Sequence, residues 1–105
     1  NKDIFVSLTG GVKLKDPALD LAICAAVISS CKDIPLAPDW VFMAEVGILG
    51  QVSKVPLIDR RLEEAQRLGF KKAFSAAVTK NEKQKLKELS LCELADLNAL
   101  ALKLR

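Results

Sequence analysis

The sequence predicts one α+β domain in which a mixed β-sheet packs around a buried central helix. Residues 19–28 are apolar except for Asp20 and the Cys24 thiol, and so little polarity indicates a helix buried on most sides. Short apolar runs bounded by glycine and proline lie around it, which is typical of strands and turns. Half of the 105 residues are apolar, so residues 1–105 are expected to form one domain with a sizeable core.

The first elements follow from local turn and capping residues. Residues 4–8 predict a strand that ends in a glycine turn. Residues 12–15 alternate apolar and basic side chains and predict either an extension of that strand or a segment paired with it. Asp16 can cap a helix, and Pro17 suits the first helical position. Asp20 then lies near the helix start, where a carboxylate favours the helix dipole, so this role is preferred to a catalytic one.

The middle of the chain predicts a β-hairpin. Residues 40–46 are rich in aromatic and β-branched side chains and predict a strand. Residues 51–55 alternate, and Gly47 and Gly50 bracket the connection between the two segments. A tight connection that contains glycine is typical of a hairpin.

The remaining residues predict two helices, two strands and a charged loop. Residues 59–68 predict a helix, and residues 71–78 a strand with the lysine pair outside and Ala73-Phe74 inward. Residues 80–87 predict a solvated loop or short helix. Residues 90–94 predict a short strand, and a terminal helix follows from residue 96 onward. Gly69 is placed to end the first of these helices, and Asp96 to cap the last.

Composition excludes several classes of function. The chain has no histidine, which removes Ser/His/Asp and Cys/His catalysis and the commonest transition-metal ligand. Its three cysteines, Cys24, Cys31 and Cys92, form no CxxC pair and are best interpreted as buried, reduced thiols of a cytoplasmic protein. The net charge of +3 is compatible with an anionic partner but does not require one.

Several motifs, in their joint order and spacing, resemble a known family. They are TGGVK at 9–13, DPALDLA at 16–22, PL at 35–36 with Asp39, AEVGILGQV at 44–52, VP at 55–56, RLEEA at 61–65 and LGFKKA at 68–73. Together they resemble the protease-like C-terminal domain of the bacterial RadA (Sms) DNA repair proteins and, more distantly, the proteolytic domain of Lon. The resemblance covers roughly residues 4–76 and implies a Lon-protease-like fold.

The resemblance also implies that the domain is not an enzyme. Lon uses a serine nucleophile just after a proline at the start of the central helix, with a lysine base on the next long helix. The aligned positions here are Ala18 and Arg61. Alanine has no nucleophile and arginine stays protonated, so no catalytic residue is expected. A divergent active peptidase of the Lon type is the least favoured alternative.

By the same resemblance, the chain is a piece of a longer ATP-dependent motor that drives branch migration in recombinational repair. ATP, Mg²⁺ and Zn²⁺ are expected in other parts of that protein, which would be a DNA-dependent ATPase, and no cofactor is expected in this domain. The domain itself is expected to assemble a ring, commonly a hexamer, and to hold single-stranded or branched DNA. No membrane partner is expected.

Basic residues supply the candidate DNA contacts. They are Lys13, Lys15, Lys54, Arg60, Arg61, Lys71 and Lys72. Contacts of this kind read the phosphate backbone rather than the base sequence and weaken with salt. The alternative for each basic residue is ordinary solubility, because Glu63 and Glu64 lie close enough in sequence to neutralise nearby arginines. A second hypothesis for the whole domain is an oligomerisation scaffold without a ligand.

Overall fold

The structure, a computed structural model, describes residues 16–104. The strand predicted at 4–8 and its extension at 12–15 lie outside the described residues. In chain order the described elements are α1 (Leu19–Lys32), β1 (Trp40–Phe42), β2 (Glu45–Val46), β3 (Val52–Ser53), α2 (Ile58–Arg67), β4 (Lys72–Ser75), β5 (Ser90–Glu93) and α3 (Leu97–Lys103). Among these residues, no helix is long and apolar enough to cross a membrane.

The strands form a parallel sheet and a separate antiparallel hairpin. The sheet has the order β1-β4-β5 and is parallel throughout, whereas β2 and β3 pair antiparallel. This combination of helices with both strand orientations confirms the predicted α+β class. The prediction of a single strand over residues 40–46 is wrong, because the chain leaves the sheet after β1. The Met43 N–H still donates to the Phe74 carbonyl, but the Ala44 N–H donates to the Ala18 carbonyl at 3.2 Å.

Helices cover the sheet on both faces. The α2 face holds one core cluster, which includes Ala18, Met43, Val55, Ile58, Leu62, Ala65, Ala73 and Leu89. The opposite face holds the second cluster with α1 and α3, which includes Leu21, Ala25, Ala44, Phe74, Leu94, Leu100 and Leu104. Successive strand residues point to opposite faces, so Ala73 and Phe74 enter different cores. The predicted burial of both residues is confirmed, but they point into two cores on opposite faces of the sheet rather than into one.

The central helix α1 is buried along one stripe only. Leu21, Ala25 and Ala26 are fully buried, and the helix packs against β1 and β2. Leu19 and Val27 are 38% and 40% exposed, so the prediction of burial on most sides is wrong for this face. The apolar run extends beyond the surface that the sheet and α3 cover.

The hairpin between β2 and β3 confirms the prediction from its glycines. The Gly47 carbonyl accepts the Gly50 N–H, and the Gly47 N–H donates to the Gln51 carbonyl, both at 2.9 Å. Gly50 has φ of +85°, a left-handed conformation that glycine adopts without a steric penalty. This is the three-residue loop in which a turn is followed by a glycine bulge. Ile48 and Leu49 occupy the two corners of the turn.

The charged loop predicted at 80–87 is an exposed, turn-rich loop, and a single glutamine of α2 holds its end. The Gln66 Oε1 accepts the backbone N–H groups of Lys87, Glu88 and Leu89 at 2.8, 2.9 and 3.1 Å. Its Nε2 donates to the Lys85 carbonyl at 3.2 Å. The loop is thereby fixed against α2 before the chain enters β5.

The predicted helix ends are confirmed at two positions. The Asp96 carboxylate accepts the Ala99 N–H at 2.9 Å and caps α3. Gly69, with φ of +97°, follows the end of α2. Both signals depend on neighbouring residues alone, which is why the sequence reveals them.

Candidate functional site

The start of α1 is built around the Asp16 side chain. Its Oδ1 accepts the Ala18 N–H at 3.1 Å, and its carbonyl accepts the Leu19 N–H at 3.0 Å. Asp16 thus binds a backbone donor at the start of the helix, as predicted, but the helix begins at Leu19 with Ala18 as its N-cap, two residues later than the sequence predicted. Ala18 itself is buried, at 5% exposure, in the core below α2.

Arg61 of α2 binds the same carboxylate. Its Nη1 lies 3.2 Å from Asp16 Oδ2, its Nη2 lies 3.5 Å from Oδ1, and its Nε donates to the Pro56 carbonyl at 3.0 Å. The Ala18 N–H holds the pKa of Asp16 below its ordinary value. Burial opposes this effect, and the hydrogen bond and charge of Arg61 each lower the pKa by a smaller amount. Ala18 and Arg61, 43 positions apart in sequence, thus meet at one carboxylate.

This arrangement has the chemistry of a clamp between two helices. The Ala18 methyl group cannot attack a carbonyl, and the Arg61 guanidinium offers only N–H donors and no acceptor. Within the described part of the chain, Arg61 hydrogen-bonds only to a carboxylate and a carbonyl. The clamp joins the start of α1 to the first turns of α2.

Asp20 connects α1 to the hairpin. Its Oδ2 accepts the Val46 N–H at 3.2 Å, an acceptor role across 26 positions that sequence reasoning missed. Burial, with a contribution from the Asp20 charge, raises the pKa of the Cys24 thiol. A protonated, half-buried thiol is a poor nucleophile. All three cysteines are free thiols in the structure, but Cys31 is exposed and the other two are half-buried, so the prediction that they are buried is wrong.

Three of the predicted DNA-contact residues are engaged within the protein. Arg61 binds Asp16, as described above, and Lys54 Nζ lies 3.0 Å from both carboxylate oxygens of Glu82. Lys72 Nζ lies 5.2 Å from the Trp40 ring centroid and 5.1 Å from that of Phe74. The aromatic faces attract the Lys72 ammonium, so each of these cations already has an intramolecular partner.

Arg60 and Lys71 differ from the other predicted contacts. Both are exposed, and neither side chain makes an ion pair or hydrogen bond with the residues that the structure describes. Arg60 lies in the first turn of α2, and Lys71 lies just before β4. Lys13 and Lys15 lie outside the described residues.

A groove between α2 and β1 was not predicted. It has a volume of about 480 Å³, with Arg60, Arg61 and Glu64 at its rim. Its apolar lining includes Val41, Met43, Leu57, Leu68 and Phe70. One weak signal for it is present in the sequence, since Leu57 and Leu68 are apolar residues at the two ends of a strongly polar helix. We refer to it as the α2–β1 groove.

No family model matches the chain, but several curated proteins do. It is 41% identical over 75 residues to the DNA repair protein RadA of Streptococcus pyogenes, 47% over 74 residues to that of Aquifex aeolicus and 44% over 77 residues to that of Bacillus subtilis. The matches cover 70–73% of this chain but only about 17% of each relative. They confirm the resemblance found in the sequence motifs, and the chain is a homologue of one segment of the bacterial DNA repair protein RadA.

Proposed function

We propose that this chain is the non-proteolytic C-terminal domain of a RadA-like, ATP-dependent branch migration protein. In that protein it serves to assemble a ring, commonly a hexamer, and to contact the DNA backbone. The observation that carries the proposal is the 41–47% identity to proteins named DNA repair protein RadA. ATP, Mg²⁺ and Zn²⁺ would be bound by other segments of the longer protein, which would act in the cytoplasm.

The Arg61–Asp16 clamp supports the non-proteolytic part of the proposal. The position that aligns with a serine nucleophile holds Ala18, and the position that aligns with its lysine base holds a guanidinium already bound to Asp16. A base must be able to accept the proton of the nucleophile. Casein cleavage, or labelling by a serine-reactive fluorophosphonate, would contradict this part of the proposal.

Arg60 and Lys71 support the DNA part. Both are exposed cations without an intramolecular carboxylate among the described residues, so they can bind a phosphate without first losing another partner. A contact of this kind carries no base specificity. We therefore expect binding to single-stranded or branched DNA that weakens as salt is raised.

Fluorescence anisotropy with a labelled single-stranded oligonucleotide at about 50 mM salt tests the DNA part. Each phosphate contact releases about 0.7 of a counterion from a single strand. At about 50 mM salt, compared with 1 M, that release strengthens binding about eightfold, so each lost contact should weaken binding by about this factor. We expect Arg60→Ala with Lys71→Ala to weaken binding strongly. The charge-matched control is Lys32→Ala with Lys103→Ala, which removes two exposed lysines from α1 and α3 and should change affinity little.

A scaffold without a ligand is the second candidate. The observation that favours it is that Lys54, Arg61 and Lys72 already have partners within the protein. If the chain self-associates, shows no affinity for DNA that salt reduces, and behaves identically in both double variants, the scaffold is the better description.

A further inference from the structure

We propose that the tip of the β2–β3 hairpin, Ile48 and Leu49, docks into the α2–β1 groove of a second copy of this chain. The inference rests on the proposed self-association and identifies the two surfaces that make it. Each copy would present a tip on one side and a groove on another, so the contact would be head-to-tail. Contacts of this type generate rings when the rotation between copies closes.

The hairpin tip is the most exposed apolar feature among the described residues. Ile48 is 102% exposed and Leu49 is 91% exposed. The corners of a tight turn are usually occupied by Gly, Asn, Asp, Ser or Pro, which suit turn geometry and solvent. Two adjacent aliphatic side chains at such corners add nothing to the hairpin itself. Exposed apolar groups that stand together are typical of an interaction site.

The groove offers a matching apolar surface. Leu57 and Leu68 are 61% and 64% exposed at its two ends, and Val41, Met43 and Phe70 lie between α2 and the sheet. Leu57 has φ of +59°, a conformation that is unfavourable for leucine. A polar residue such as asparagine suits both the backbone and the solvent better, so the leucine at this position has a reason other than local folding.

One copy cannot fill its own groove. The hairpin is bonded to the segment after β5, since the Val52 N–H donates to the Ala95 carbonyl and the Leu97 N–H to the Gly50 carbonyl, both at 2.9 Å. The hairpin packs on the opposite face of the sheet, because Val46 and Val52 join the second core cluster, whereas Met43 and Ala65 of the groove belong to the cluster below α2. The tip and the groove are therefore held on different sides of the molecule.

Charge favours a second copy as the occupant. Glu45 is exposed at the base of the hairpin and makes no ion pair with the described residues. Arg60 is exposed at the rim of the groove. Opposite charges beside the two apolar surfaces favour their encounter and fix its orientation. Arg60 is also a proposed DNA contact, so the variants below leave it unchanged.

Sedimentation velocity over a concentration series tests the inference on the chain itself. The tip variant is Ile48→Asn with Leu49→Asp, and the groove variant is Leu57→Asn with Leu68→Lys. All four side chains are more than 60% exposed, and asparagine suits the left-handed backbone at position 57, so folding should persist. We expect each double variant to weaken self-association at least about tenfold, because apolar contacts at the centre of an interface dominate its affinity.

Mixing the two variants distinguishes a head-to-tail contact from a general loss of association. The tip variant retains an intact groove, and the groove variant retains an intact tip, so a mixture should form heterodimers but nothing larger. The control Leu102→Asn, at an exposed leucine of α3, should associate like the unmodified chain.

Two results would overturn the inference and can be told apart. If the unmodified chain associates and both double variants associate equally well, the tip and groove are not the interface, although the proposed assembly stands. If the unmodified chain is monomeric at every concentration, the proposed self-association fails together with the inference.

Discussion

Replacing Asp16 separates the two roles that its carboxylate plays. Asp16→Ala removes both the acceptor for the Ala18 N–H and the ion pair with Arg61. Asp16→Asn keeps an amide oxygen that can accept the Ala18 N–H, but it removes the negative charge. The difference between the two variants therefore measures the cap, and the difference between Asn and the native residue measures the ion pair.

The expected magnitudes follow from the exposure of the pair. Loss of a capping acceptor costs about 1 kcal/mol. The Arg61 and Asp16 side chains are 34% and 38% exposed, so solvent screening limits their pairing to about 0.5 kcal/mol. Asp16→Ala should lower the free energy of unfolding by about 1.5 kcal/mol, and Asp16→Asn by about 0.5 kcal/mol.

The pH dependence gives an independent check. The pKa of Asp16 is lower in the folded chain than its ordinary value, so its stabilising effect is fully present above the unfolded pKa, near 4, and is lost as pH falls through the folded pKa. The difference in stability between native chain and Asp16→Asn should therefore narrow from pH 6 to pH 3. Urea unfolding followed by circular dichroism measures it. Equal losses for the Ala and Asn variants, or a pH-independent difference, would refute this account of the clamp.

Three further substitutions test the fold by urea unfolding. Gln66→Leu should lower the free energy of unfolding by about 2 kcal/mol because it removes four hydrogen bonds to the loop before β5. Gln66→Glu keeps an acceptor oxygen and should lower it less. Equal losses of stability in the two variants would contradict the acceptor role of Gln66. Gly50→Ala should cost about 1 kcal/mol because φ is +85°, and a neutral result would argue against the bulge. Phe74→Ala should cost about 3–5 kcal/mol, since the ring is fully buried between Phe42 and Trp40; a cost below about 1 kcal/mol would place Phe74 outside the core.

Local chemistry explains the parts of the fold that the sequence predicted. Asp16 and Asp96 bond to backbone N–H groups two and three residues ahead, and Gly50 and Gly69 adopt positive φ at the predicted turn and helix end. Each signal involves residues within a few positions of one another. Such signals do not depend on how the distant parts of the chain pack.

Long-range packing explains the errors. Residues 40–46 have strand propensity throughout, but the Ala44 N–H finds its partner in Ala18, 26 positions away, so the strand divides. The sheet is covered on both faces, and Ala73 and Phe74 consequently occupy separate cores. Periodicity within a short segment cannot reveal a second covering layer.

The sequence predicted which residues occupy the candidate site, but not which contacts they make. The motifs aligned Ala18 and Arg61 with a catalytic pair, and the structure brings both to Asp16. The sequence could not show which cations have partners, because Lys54 meets Glu82 across 28 positions and Lys72 lies over aromatic rings. Those contacts depend on the tertiary fold, which is why Arg60 and Lys71 could be distinguished from the rest only in the structure.

The salt dependence of single-stranded DNA affinity tests the proposed DNA contact most directly. The slope of log affinity against log salt counts the phosphates that a protein neutralises, at about 0.7 per contact. We predict that Arg60→Ala with Lys71→Ala makes this slope shallower by about 1.4 relative to the Lys32→Ala with Lys103→Ala control. Identical slopes in the two double variants, or no affinity of the chain for DNA even at low salt, would contradict the proposed DNA contact.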